Sequence, residues 1–492
     1  MSFLKNFMSL GSANPSGSAG NPKSQSELLC AMQNLASTQN DAPTKKTSNS
    51  RVVDLFFLAG SARNMDSESI LDLIQLSWQQ NPKLTLKVIF WAGDVRQGAG
   101  ERRFFRLALK WLEQSYPKTL IKNIQSGNIE FFSRWDSLFE LTQDDQVTKA
   151  ILQHIQEGLE AKDGLLAKWL PRKKQYNNFK KILQEYLQIE DEQYRKLIVG
   201  LSKTVEQQIS KNDWASVEYP RVPSQAFNKY RQAFLRHDPQ RFDQFIDAVN
   251  QGKAKIKAEV VYPHQLYQAY NQGKDQKSII AQWHSLPDYL KDSKERILPV
   301  CDVSGSMLGL PLDVSVALGI YISERNQGLF KDSFITFSKN PEVQTLKGDL
   351  VEKISQLENA DWGMNTDLYQ VFKVVLREAT KNQIHQSQMP TMILILSDME
   401  FDQAVESETN LESIKSKYKQ ANYKLPKIVF WNLNGRQHNL PATKSSQNVG
   451  LVSGFSPKIL ESILSGKIEK FTPENVMLET IESQRYSQVE LA

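Results

Sequence analysis

The apolar pattern of this chain changes period once, near Arg296, and that change limits the fold more than any other feature. From Arg51 to about Gly252, apolar residues recur at helical spacing. Val53, Phe56, Phe57 and Ala59 begin one face, and Ile70, Leu73 and Ile74 begin another; Leu84, Val88, Ile89 and Ala92 form a third, and Phe104, Leu107, Ala108 and Leu112 a fourth. Breaks such as Asn81-Pro82 and Gly98-Ala99-Gly100 separate them. Periodic segments of about 10 to 15 residues with short breaks predict antiparallel helices stacked as a bundle or α-solenoid. No strict internal repeat accompanies them, which favours the generic bundle.

From Arg296 to about Lys470, short apolar runs alternate with helical ones. Residues 297–301, 333–337, 391–396, 427–432 and 449–453 read as strands, and helices start near Leu312, Leu350, Leu368 and Leu411. Strands flanked by helices predict an α/β sheet covered on both faces. The expected fold class is therefore α plus α/β, a helical repeat-like domain followed by a doubly wound one. The expected boundaries are a disordered tail over 1–50, helices over 51–290, the α/β domain over 291–470, and a C-terminal helix over 471–492 packing back on the helical domain. The tail expectation rests on residues 11–50, rich in Ser, Asn, Gly, Gln and Pro.

The strand ending at Cys301 runs into Asp302-Val303-Ser304-Gly305-Ser306. One carboxylate and two hydroxyls at the carboxyl edge of a sheet present hard oxygens with little net charge. That set suits a divalent cation still needing an outside ligand. Convergence of the three requires a sharp turn, which Gly305 is expected to permit. About 60 residues on, Gly363-Met364-Asn365-Thr366-Asp367 precedes a periodic helix, and the run Thr391 to Leu396 ends in Ser397-Asp398. Together these resemble the metal-ion-dependent adhesion site of von Willebrand factor A domains, matched at Asp302, Ser304, Ser306, Thr366 and Asp398. The resemblance implies Mg2+ bound directly by the serines and Thr366, with the two aspartates acting directly or through water. A partner's Asp or Glu would complete the shell.

Other chemistries for the same loop fail. A phosphate loop needs a Lys after its glycines, and Gly305-Ser306-Met307 has none. A haloacid-type nucleophile would want a second Asp at position 304, and a serine-hydrolase elbow needs Gly-x-Ser-x-Gly. Histidines 154, 237, 264, 284, 385 and 438 show neither metal-ligand spacing nor a triad partner. No second metal-ligand cluster or general base stands near the loop pattern, so no enzymatic activity is expected.

The whole chain carries a formal charge of +5, yet residues 161–260 alone hold 19 Lys and Arg against 12 Asp and Glu. A basic middle favours a polyanionic partner. Arg172, Lys173 and Lys174 lie beside Trp169 and Tyr176, with Lys180 and Lys181 following; Lys229, Arg231 and Arg236 lie on a helix whose aromatics are expected in the core. The loop Asp94 to Arg103, with Arg96, Arg102 and Arg103, reads equally as a phosphate-contacting turn or as a charged helix junction with Arg–Asp pairing. No apolar run approaches the ~20 residues of a membrane span. Met1 to Leu10 lacks a signal-peptide core, and two cysteines, Cys30 and Cys301, give no disulfide framework. A cytoplasmic location without membrane contact is expected.

Val222-Pro223-Ser224, Arg236-His237-Asp238, Asp302 through Met307, Trp431-Asn432 and Ser453-Gly454-Phe455-Ser456 resemble domain-of-unknown-function family 2828 over about 51–486. More distantly, helices followed by an A domain are similar to the Ro autoantigen and its TROVE-domain relatives. Those close a ring of HEAT-like helices with the A domain and bind structured or single-stranded RNA. The resemblance implies an RNA-binding protein with HEAT-like helices and a Mg2+-dependent partner site. The alternative is a metal-dependent protein-interaction scaffold without RNA.

Overall fold

The computed structural model describes residues 34–172, 174–202, 204–337, 341–359, 366–402, 410–435 and 439–492. The helical part is built from short helices with explicit stops. Asn81 ends the helix Ser67–Gln80 and caps the next, Pro82–Gly93, its Oδ1 accepting from the Leu84 amide at 3.0 Å. Pro82 takes the first helical position, where its missing N–H costs nothing. Asp66 and Asp144 cap the helices Ser67–Gln80 and Asp145–Glu160 in the same way.

The helix Arg51–Ala59 is buried at every position from Val52 to Ala59. Apart from Asp54 those positions are apolar, and a helix apolar on every side must be enclosed. This one lies between the helices that follow it and the last strand of the α/β part, so both halves of the chain share one hydrophobic core. A second, smaller core gathers Val217, Tyr219, Phe227, Phe234, Phe242 and Ile246 under the basic middle segment.

The α/β part carries a six-stranded sheet of β3 (Ile297–Cys301), β4 (Ser333–Thr336), β5 (Val343–Thr345), β6 (Met392–Ser397), β7 (Lys427–Asn432) and β8 (Val449–Ser453), in the order β5-β4-β3-β6-β7-β8. All pairings are parallel except β4 with β5. β3 and β6 to β8 are almost wholly buried, as strands covered by helices on both faces must be. β5 was not expected. Its three residues are half-buried or exposed and lack an apolar run, as suits a short edge strand. The strand order reverses between β3 and β6, the position where open α/β sheets leave a crevice at their carboxyl ends.

The expected tail over 1–50 is corrected from residue 34 onward. β1 (Leu35–Ser37) and β2 (Pro43–Lys45) form an antiparallel hairpin, and Asn34 closes its base by accepting from the Thr47 amide at 3.1 Å. The polar composition that suggested disorder instead supplies side-chain hydrogen bonds to backbone groups elsewhere. At the other end, Asn123 donates to the Glu490 carbonyl at 2.7 Å and Asn128 to the Gln488 carbonyl at 3.0 Å, fastening the last residues to the helical part. Among the described residues no helix is long and apolar enough to cross a membrane.

Candidate metal site at the carboxyl edge of the sheet

The Asp302 amide donates to the Leu396 carbonyl at 3.0 Å, extending the β3–β6 ladder by one residue and fixing where the side chain leaves the sheet. That side chain is buried. Its Oδ2 accepts from Ser397 Oγ at 2.6 Å and its Oδ1 from the Ser304 amide at 3.0 Å. The chain then makes a single 3-10 turn over Gly305–Met307, bringing Ser306 Oγ to 3.1 Å from Ser304 Oγ. Gly305 is not what makes the turn possible: its φ is not positive, and a Cβ there would meet nothing. The left-handed glycine is Gly309, at φ +91°, where the chain enters the helix Leu310–Arg325.

Because Cys301 pairs with Leu396, Asp302 stands beside Ser397, the last residue of β6, and Asp398 follows just past the strand. Burial, then the Asp398 charge, pushes the Asp302 carboxyl up to about 6. Thr366 is buried and tied to the segment after Asp398. Its Oγ1 donates to the Glu400 carbonyl at 2.8 Å, and its amide donates to Asp402 Oδ2 at 2.6 Å. Thus Asp302, Ser304 and Ser306 are joined directly, Asp398 acts on Asp302 through space, and Thr366 reaches the group through the 400–402 backbone. No hydrogen bond between Thr366 and either serine occurs among the described residues.

Three participants were missed. Ser397 holds Asp302, Asp402 holds Thr366, and the buried Glu400 has its carboxyl raised by burial and, further, by the Asp398 charge. The signal for Glu400 and Asp402 was present as acids at alternate positions in Asp398-Met399-Glu400-Phe401-Asp402. Among the described residues no three His, Cys, Asp or Glu side chains form a metal-holding group. Any cation here therefore depends on the hydroxyls as well as the carboxylates. Two neighbouring carboxylates beside a hydroxyl pair are a hard-oxygen set that fits Mg2+, whose charge would offset both the burial and the mutual repulsion of the acids.

The basic residues separate by environment. Arg231 is fully buried, donating to Ser278 Oγ at 3.1 Å and Asn228 Oδ1 at 2.9 Å and bonded to Gln282. Its expectation as a nucleic-acid contact is corrected, since no polyanion reaches it. Arg96 donates to the Phe131 carbonyl at 2.6 Å, Arg102 to Asp136 at 3.1 Å, and Arg103 to Ser67 Oγ at 3.0 Å. Buried Asp94 caps the Arg96 amide and accepts from Arg485 and from Tyr486 Oη at 3.0 Å. The Asp94–Arg103 loop thus has the Arg–Asp pairing of a charged helix junction, while Arg102 and Arg103 also line a cleft. Arg172 donates to Ser202 Oγ at 3.1 Å, and Lys180 to Asp191 at 2.6 Å. Lys174, Lys181, Lys229 and Arg236 are exposed, while Lys173 lies outside the described residues. Arg63, Arg102, Arg103, Arg106 and Lys110 also line a cleft of about 470 Å³, with Glu101 and Glu140 among them.

The model of the domain of unknown function DUF2828 matches residues 38–130 and 144–295. The chain belongs to the DUF2828 family. A second model, the domain of unknown function DUF7788, matches residues 296–490, beginning at the residue before β3. The DUF2828 match thus covers the hairpin tip and the helices, and the DUF7788 match the sheet with its candidate site. The chain is also 25% identical over 509 residues to the uncharacterized protein L728 of Acanthamoeba polyphaga mimivirus, covering 92% of this chain and 88% of that one.

Proposed function

We propose that this DUF2828 protein is a divalent-cation-dependent binding protein. Its α/β part is a von Willebrand factor A-like domain that holds Mg2+ through Asp302, Ser304, Ser306, Thr366 and Asp398 and takes a carboxylate from a protein partner. The observation carrying this reading is the Ser304–Ser306 hydroxyl pair, 3.1 Å apart beside buried Asp302, at the strand-order reversal between β3 and β6. A lone antiparallel edge strand on an otherwise parallel sheet supports the A-like assignment. When bound, the cation supplies positive charge to a partner's acidic group, and this chain's residues only position it. Titration with Mn2+ followed by electron paramagnetic resonance tests the site. Saturable binding lost in Asp302→Asn and Asp398→Asn is expected, and equal binding in those variants rejects it.

The Ro-like version, with RNA on HEAT-like helices, is a second reading. It is favoured by the cleft lined by five Lys and Arg side chains and by exposed Lys174, Lys181, Lys229 and Arg236. Phosphate contacts release counterions, so affinity would fall steeply with salt. Nucleic acid co-purifying with the protein, seen as a raised ratio of absorbance at about 260 nm to that at about 280 nm, supports this reading. Salt-independent binding rejects it.

A further inference from the structure

The hairpin β1–β2 reaches the candidate site with its tip. Thr38 Oγ1 donates to the Phe401 carbonyl at 2.7 Å, and the Gln39 amide donates to Glu400 Oε2 at 2.7 Å. Asn40 Nδ2 donates to the Glu400 carbonyl at 3.0 Å and stands 3.5 Å from Thr366 Oγ1. Asp41, at φ +63°, bridges to Asp402, and Lys45 exchanges both backbone hydrogen bonds with Leu440 at 3.1 Å. Except for Leu440, whose neighbour Asn439 donates to Glu400 Oε1, these partners are Thr366 and the segment 400–402 that holds it.

The base of the hairpin is fastened differently. Buried Asp54 accepts from the Ser48 amide at 2.8 Å and from the hydroxyls of Thr47 and Ser48, so the chain leaving β2 is locked to the helix Arg51–Ala59. A two-stranded hairpin is at best marginally stable alone. Its tip therefore owes its place to the polar contacts with residues 366 and 400–402, with Ala42 the only fully buried apolar side chain described within 38–45. The base stays anchored while the tip is held by bonds that water can replace.

We propose that the hairpin tip, residues 38–42, is the in-cis occupant of the cation site's outer face, and that a partner reaches the site by displacing it. This rests on the cation reading above. The tip fits a surface of backbone carbonyls and carboxylates through its own hydroxyl, amide and carboxamide donors. An incoming segment must replace those donors while presenting its carboxylate to the cation.

The test uses the full chain and Mn2+ as the probe, with release to excess EDTA followed by electron paramagnetic resonance. Thr38→Ala with Asn40→Ala removes three tip contacts, those to Phe401, Glu400 and Thr366, and no proposed ligand. Release is expected to be about tenfold faster than in the parent, the scale of one to two lost hydrogen bonds. Equal release rates in a normally folded variant overturn the cap and leave the cation reading standing. Absence of Mn2+ binding in the parent overturns both. Hydrogen exchange on the unaltered protein gives an independent measure: the Gln39 amide, bonded to Glu400 Oε2, should exchange well before those of β6 and β7. Protection equal to that core would mean the tip never opens separately, and would reject the proposal.

Discussion

Ser397 Oγ lies 2.6 Å from Asp302 Oδ2, so a hydroxyl at the end of one central strand holds the carboxylate that ends its neighbour. The bond keeps Asp302 aimed at the crevice although burial and Asp398 both disfavour its charge. Asp302→Asn keeps the shape and removes the repulsion. In EDTA the variant should melt no lower than the parent. Excess Mg2+ should stabilise only the parent, by about 3 kcal/mol once Mg2+ exceeds its Kd about a hundredfold. Equal Mg2+-dependent shifts in scanning calorimetry would contradict the assignment.

His264 sits at the seam between the two halves, its ring 5.6 Å from that of Phe455, over which the Arg63 guanidinium lies at 4.8 Å. Burial first, then the Arg63 charge, pushes its pKa down to about 3 from 6.5. Between those values the unfolded chain binds the proton and the folded one does not. Its contribution is therefore complete above about pH 6.5 and is lost as pH falls toward about 3. His264→Phe should flatten the decline of the urea midpoint between about pH 6.5 and about pH 4. An unchanged slope would show that His264 already carries its proton when folded.

Gly454 adopts φ +108°, and a Cβ there would stand 3.0 Å from the Ala99 Cβ. Beside it, Ser453 Oγ donates to the Phe56 carbonyl at 2.9 Å and accepts from the Gly60 amide at 3.0 Å. Gly454→Ala both strains the backbone and pushes the sheet off the helices. A loss of about 2–4 kcal/mol is expected in denaturant unfolding, and unchanged stability would show that the seam accepts a side chain there.

Arg231 is a structural cation of the second core. Arg231→Ala leaves Ser278, Gln282 and Asn228 without their partner and should cost about 3 kcal/mol of stability. If the protein binds RNA, affinity for the folded variant should equal that of the parent, whereas reversing Lys174, Lys181, Lys229 and Arg236 to Glu should weaken binding and flatten its salt dependence. A selective affinity loss in the folded Arg231 variant would show that the residue is reachable after all.

The strands 297–301, 427–432 and 449–453 could be read from the sequence because strands buried on both faces are mostly apolar between their ends. β5 and the hairpin could not. Their residues are short polar runs whose conformation comes from pairing with Ser333–Ile335 in one case and with the 400–402 segment in the other. The basic clusters misled for a related reason. Arg231 and Lys229 are two residues apart on one helix, yet one faces Ser278 in the core and the other faces water. Charge counts hold no information about which side of a helix is covered.

Local chemistry alone determined the helical first part, the succession of buried strands and the oxygen-bearing residues that end β3 and β6. Hydrophobic period and strand-end identity are encoded in neighbouring residues. Tertiary structure decided the rest. The sheet order brings Asp398 beside Asp302, the 400–402 segment holds Thr366, and the N-terminal hairpin lies across it. Those contacts join residues up to hundreds of positions apart, and the long-range packing that makes them favourable has no counterpart in any short stretch of chain.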